Sequence, residues 1–214
     1  MLAPDCLARY FPGLDLLAAE RFGQLEDLYC FWNERINLIS RKDIPNLCIN
    51  HILHSLSLAR VIPFGRKDTV LDIGTGGGFP GIPLAIVFPD VHFTLIDSIG
   101  KKIRVVESIT RELGLENVSA FRSRAEDFEG LFHYVVSRAA CSFRDLVKLS
   151  EGKLFLGSEP SPSYGIYCLK GGDLKEELTG WKTRVKVFDI RNFFKEEYFL
   201  NKKIVFLPSA ETRA

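Results

Sequence analysis

The sequence has no apolar run approaching the roughly 18 residues that a membrane-spanning helix needs, so no span is expected. Its N-terminus lacks a basic region followed by a long apolar run, so no secretory leader is expected. It has no C-x-x-C: Cys6, Cys30, Cys48, Cys141 and Cys168 are odd in number and widely spaced. That pattern argues against a disulfide framework or a thiolate zinc site and fits a reducing compartment. Neither sign of charge dominates, with 28 Lys and Arg against 27 Asp and Glu. Whole-chain charge therefore points to no polyanionic partner, and any nucleic-acid surface must come from local clustering. There is no repeat that would build a solenoid and no low-complexity tail. A cytoplasmic monomer without a structural metal is the expectation.

What is present is 214 residues with ordinary globular composition, enough for one good-sized core and a small appendage. Residues 1–62 read as a helical extension, with apolar residues such as Phe22, Leu25, Leu28 and Tyr29 at helical spacing. Asp43 and Pro45 mark the start of a further helix that carries His51 and His54. Residues 63–214 read as an α/β domain. Strand-like runs are Thr69–Ile73, His92–Asp97, Val118–Arg122, Tyr134–Ser137, Gly165–Lys170, Val185–Ile190 and Lys203–Leu207. Helix-like runs are Gly81–Phe88, Lys101–Leu113, Ser142–Leu149 and Leu174–Trp181. The alternation predicts a mostly parallel seven-stranded sheet with helices on both faces. The last two strands have no good helix between them, so an antiparallel edge is expected. Residues 157–163 form a polar, proline-broken loop.

The richest stretch is Val70-Leu71-Asp72-Ile73-Gly74-Thr75-Gly76-Gly77-Gly78-Phe79-Pro80-Gly81. It reads as a buried strand, a glycine turn and a helix start. Glycines there allow positive φ and let a ligand approach bare backbone. Gly76, Gly78 and Gly81 satisfy G-x-G-x-x-G, the dinucleotide fingerprint, so a nicotinamide-dependent oxidoreductase is one reading. Asp97, ending the second strand, is placed to hold the two hydroxyls of a ribose, which every nucleoside cofactor has. Asp72 discriminates: a carboxylate beside the turn repels a pyrophosphate and attracts a ligand that carries an ammonium and a sulfonium. S-adenosylmethionine is such a ligand. Glu126 and Asp127 follow the third strand, either as adenine contacts or as an exposed pair at a helix start.

Several further motifs occur in order: Asn33-x-x-Ile36-Asn37-Leu38, His51-Ile52-Leu53-His54-Ser55-Leu56, Asp97-Ser98-x-x-Lys101-Lys102, Arg124-Ala125-Glu126, Ser137-Arg138-Ala139 and Leu169-Lys170-Gly171. With the glycine stretch they resemble the RsmG (GidB) family, bacterial methyltransferases of guanine N7 in small-subunit ribosomal RNA, over residues 25–207. The resemblance implies a class I, Rossmann-like methyltransferase fold with S-adenosylmethionine as donor. It implies that Gly74 and Phe79 line the donor site, that Ala125 and Glu126 meet the adenine, and that Arg138 belongs to the site. The partner it implies is small-subunit ribosomal RNA or the assembling subunit. Two departures bear on RNA docking: many members end in a basic, proline-containing tail where this sequence reads Glu211-Thr212-Arg213-Ala214, and the loop at 157–163 is unusual. A non-catalytic ribosome-assembly factor is a third reading, with the intact glycines and Asp97 against it.

The chemistry fits. Guanine N7 has an in-plane lone pair and no proton to lose, so methyl transfer needs placement more than a general base. Val135-Val136-Ser137-Arg138-Ala139-Ala140 stands where amine methyltransferases carry an Asn/Asp-Pro-Pro-aromatic motif, and no cysteine adjoins a proline as in pyrimidine-C5 enzymes. Candidates for RNA contact are Arg124, Lys101, Lys170 and His51, the last either as packing or as an RNA contact. No catalytic acid or base is assigned.

Overall fold

The computed structural model describes residues 5–156 and 161–212. Its sheet has seven strands: β1 (Thr69–Ile73), β2 (His92–Asp97), β3 (Val118–Arg122), β4 (Tyr134–Arg138), β5 (Gly165–Gly171), β6 (Lys186–Asp189) and β7 (Lys202–Pro208). Their order is β3-β2-β1-β4-β5-β7-β6. β1 to β5 pair in parallel, and β7 runs antiparallel between β5 and β6. The chain starts at the centre, winds outward to β3, then returns past β1 to β4. That reversal leaves a crevice beyond the carboxyl ends of β1 and β4, where open α/β sheets bind ligands.

Strand alternation divides the core into two layers. Val70, Phe93, Leu95, Val136 and Tyr167 face one layer. Leu71, Ile73, Ile96, Val135 and Ile166 face the other. Helices cover both faces, so the central strands are apolar on both sides. The first layer holds α4 (Gly81–Val87), α5 (Gly100–Glu112) and the helical N-terminal region. The second holds α6 (Phe143–Leu149), capped by the Ser142 side chain, which accepts from the Asp145 amide at 3.1 Å.

The N-terminal region is integral to the first layer. α1 (Asp5–Ala8) precedes α2 (Leu16–Asn33), whose N-terminus is capped by Asp15 through the Ala18 amide at 2.7 Å. Ala18, Phe22, Leu25 and Tyr29 recur at three- and four-residue intervals and are buried. Residues 44–60 are helical but irregular: a 3-10 turn, a π-helical stretch at Cys48–Leu53, α3 (His54–Leu56) and a second 3-10 turn. A π-helical stretch widens the helix and re-aims its side chains, here His51 and His54.

One expectation is corrected. Residues 174–181 form consecutive turns instead of a helix. Leu174 and Leu178 are buried one turn apart and joined by one helical hydrogen bond, but flanking glycines and Thr179 favour turns over continuation. Cys6 and Cys48, widely spaced in sequence, are brought side by side with Cα atoms 6.8 Å apart, because α1 packs on the π-helical stretch. Part of the 157–163 loop lies outside the described residues.

Candidate active site

The glycine turn closes the end of β1. Gly74 and Thr75 amides both donate to the Ile96 carbonyl of β2, at 2.9 and 3.0 Å. Gly74 has φ +69°, and a Cβ there would lie 2.6 Å from the Ala140 Cβ. Gly76 has φ +60° and faces open space, so its bare backbone is available to a ligand. Around this turn lies a cleft of about 540 Å³. Gly74, Thr75, Gly76, Gly77 and Phe79 form its floor. Asp97 and Ser98 from the end of β2, with Ser123 to Glu126 from the end of β3, form one side. Arg138 to Cys141 from the end of β4 form the other.

Asp97 is oriented by the backbone: Oδ2 accepts from the Gly76 amide at 3.0 Å, and Oδ1 from the Ile99 amide at 2.8 Å. Each oxygen retains accepting capacity in the wall of the cleft. The helical extension supplies part of the wall. Asn33 Oδ1 accepts from the Leu38 and Ile39 amides at 2.8 and 3.0 Å, holding Leu38 against Gly77. The buried Tyr29 hydroxyl donates to the Gly77 carbonyl, and its ring stacks on Phe79 at 4.7 Å.

A family model described as rRNA small subunit methyltransferase G (GidB) matches residues 19–205. The ribosomal RNA small subunit methyltransferase G of Christiangramia forsetii is 46% identical over 95% of this chain and 96% of its own length. That of Flavobacterium johnsoniae is 48% identical over 95% and 97%. The chain belongs to this family. The precorrin-6y C5,15-methyltransferase of Geobacter metallireducens superposes with a TM-score of 0.52 at 12% identity, over 80% of this chain and 90% of that one. The fold is thus the Rossmann-like methyltransferase fold.

Within this member of the family, Gly74, Gly76, Phe79, Asp97, Arg124, Ala125, Glu126 and Arg138 line one cleft. Five expected residues do not: Asp72, Gly78 and Lys101, and His51 and Lys170, which line a neighbouring cavity. Asp72 is fully buried beneath the turn, because strand alternation points it to the same layer as Val70. Its Oδ2 accepts from Thr75 Oγ1 at 2.7 Å and from the Gly81 amide at 3.0 Å, while Oδ1 has no partner among the described residues. Burial pushes its pKa up to about 7, against the lowering effect of those two hydrogen bonds and of Arg138. Gly78 points into α4: a Cβ there would lie 2.4 Å from Ile82 Cδ1. Lys101 is exposed on α5, and Lys102 reaches the cleft in its place.

A second cavity of about 580 Å³ adjoins the first, sharing Arg138, Ala139 and Cys141 as a wall. Ala139 holds φ +53°, a conformation costing roughly 1–2 kcal/mol for a non-glycine residue, at this junction. His51 and Lys170 line the second cavity, not the cleft. Lys170 Nζ donates to Glu177 Oε1 at 2.6 Å and to the Cys141 carbonyl at 2.7 Å. Arg138 donates to the Asn50 carbonyl at 3.3 Å and His51 Nδ1 at 3.0 Å, and lies 4.8 Å over the Phe79 ring. Burial, then the charge of Arg138, lowers the His51 pKa to about 4, so the imidazole is neutral.

Tyr29, Asn33, Leu38 and Thr75 join the site although the sequence gives them no role in it; Asn33 and Leu38 belong to the Asn33-x-x-Ile36-Asn37-Leu38 motif and Thr75 to the glycine stretch.

Proposed function

We propose that this protein methylates the N7 of a guanine in small-subunit ribosomal RNA, using S-adenosylmethionine. Its membership of the small-subunit ribosomal RNA methyltransferase G family supports the reaction and substrate class. The observation that carries the donor assignment is the pairing of a backbone-oriented Asp97 with a buried carboxylate, Asp72, under the same glycine turn. When bound, the donor supplies a methyl group on a sulfonium.

In this reading Asp97 accepts from the ribose hydroxyls, and Ala125 and Glu126 flank the adenine. Asp72, with no cation within hydrogen-bonding distance among the described residues and about half ionised near pH 7, gives the turn a partial negative potential suited to the donor's ammonium and sulfonium. The same potential disfavours the pyrophosphate of a nicotinamide cofactor. Arg138, a planar cation at the cleft wall, suits the donor carboxylate. Residues 1–62 act as an extension that completes the donor site of the 63–214 domain through Leu38 and Tyr29. Catalysis is placement: the N7 lone pair attacks in line, and no side chain removes a proton. Lys101, Lys102 and Arg124 are cations beside or in the cleft for RNA phosphates. The enzyme acts in the cytoplasm, as a monomer, on ribosomal RNA or an assembling subunit.

Mass-spectrometric mapping of 7-methylguanine in ribosomal RNA from cells with and without the gene tests the reaction. An unchanged map refutes it. Calorimetric titration with S-adenosylhomocysteine and with NAD separates the donors, and tighter binding of NAD would reverse the assignment.

A further inference from the structure

The second cavity has features that donor binding leaves unused. It shares Arg138, Ala139 and Cys141 with the cleft, so a group inside it lies beside whatever occupies the cleft. Its volume suits a small-molecule-sized group such as one nucleoside. Arg138, Lys170 and Lys202 outnumber Glu177 among its charged side chains, and Tyr198 adds an aromatic ring. Lys202 Nζ lies 4.6 Å from the centroid of that ring. Cations and an aromatic surface are what an unstacked nucleotide requires.

Glu177 gives the cavity selectivity. Its Oε1 is fixed by Lys170 Nζ at 2.6 Å and by the Phe143 amide at 2.7 Å. Its Oε2 has no hydrogen-bond partner among the described residues. The carboxylate is therefore oriented in advance, with accepting capacity left over for the cavity it lines. Guanine carries adjacent donors, N1–H and the N2 amine, on the edge away from N7. Adenine presents a lone pair at N1, which a carboxylate repels.

We propose that the second cavity receives the target guanine and that Glu177 selects it by accepting from its N1–H and N2 amine edge, leaving N7 directed at the cleft. Tyr198 offers the base an aromatic contact, and Lys202 neutralises a flanking phosphate. This assignment rests on the functional reading above and adds the acceptor site and its base specificity.

The test compares RNAs that carry guanine, inosine or adenine at the methylated position, with wild-type protein and Glu177→Gln. A hydrogen bond to a charged group is worth about 10- to 100-fold. Wild type should methylate the inosine RNA about 10-fold more slowly than the guanine RNA, and the adenine RNA at least 100-fold more slowly. Glu177→Gln should cut the guanine-to-adenine ratio by at least 10-fold, because its amide donates to adenine N1. Its affinity for S-adenosylhomocysteine should stay within about twofold. An unchanged base ratio in Glu177→Gln, with guanine methylation intact, overturns the assignment. So does a wild-type enzyme that treats guanine and inosine alike, a result that needs no variant to fold. A wild type that methylates no guanine RNA refutes the functional reading and this assignment together.

Discussion

Arg138 at the end of β4 reaches the helical extension, with Nη2 3.0 Å from His51 Nδ1. A guanidinium only donates, so His51 accepts at Nδ1 and carries its proton on Nε2, 3.7 Å from Asp43 Oδ2. The contact locks the wall between the two cavities to the extension.

Arg138→Ala should lower methylation at least 100-fold while costing about 1–3 kcal/mol of stability, the scale of its hydrogen bonds. Arg138→Lys keeps the charge but loses the planar fork, and should recover stability better than activity. Rate assays and thermal melting measure the two. Activity and stability falling in proportion would make Arg138 structural only.

His51 and Asp72 pull acid stability in opposite directions. The folded pKa of His51 lies below its unfolded value, so the unfolded chain takes up more protons between about pH 6.5 and 4, and stability falls as pH drops through that window. At pH 5 the cost is about 2 kcal/mol. His51→Gln should flatten that decline. Denaturant titrations of wild type and variant at pH 7 and pH 5 would show it, and parallel declines would contradict it.

Asp72 has a raised folded pKa, so its buried carboxylate costs stability as pH rises from about 4 through 7. Asp72→Asn should therefore stabilise the fold more at pH 8 than at pH 5, by roughly 3 kcal/mol at most. The same substitution should weaken S-adenosylhomocysteine binding at least 10-fold by removing the negative potential under the turn. Unaltered affinity would detach Asp72 from ligand binding.

Gly76 and Gly78 distinguish ligand contact from packing. Gly76→Ala meets little protein but places a methyl in the cleft, so affinity should fall at least 10-fold for about 1–2 kcal/mol of backbone strain. Gly78→Ala collides with Ile82 and should damage stability first. Calorimetry and melting on both variants would give the reverse order if the cleft were misassigned.

Asn33→Ala removes two buried backbone hydrogen bonds, at 2.8 and 3.0 Å, and frees Leu38. A stability loss of about 2–4 kcal/mol is expected, with weaker binding at the cleft. Wild-type affinity in a folded variant would show that Leu38 is not part of the wall.

The sheet was legible because each buried strand is a short apolar run bounded by turn residues, and the two-layer alternation follows from the strand period. The glycine turn and Asp97 were legible because their chemistry is local. The position of Asp72 beside the glycines suggests a ligand contact, but its parity with Val70 places it beneath the turn. Lys101 and Lys102 are neighbours in sequence, yet one helical step of about 100° separates solvent from cleft. Tyr29, Leu38 and the Cys6–Cys48 pair depend on contacts between distant segments, which no local pattern encodes. Residues 174–181 have helical burial spacing but turn-forming neighbours, and the turns prevailed.

The wall of Arg138, Ala139 and Cys141 common to both cavities has a pharmacological consequence. A single inhibitor with two linked halves could address both chambers across that wall. Such a tethered molecule binds its second half as an intramolecular event, at high effective concentration. Its selectivity among methyltransferases would come from the chamber built by His51, Tyr198 and Glu177, which the nucleoside fingerprint of the cleft does not specify.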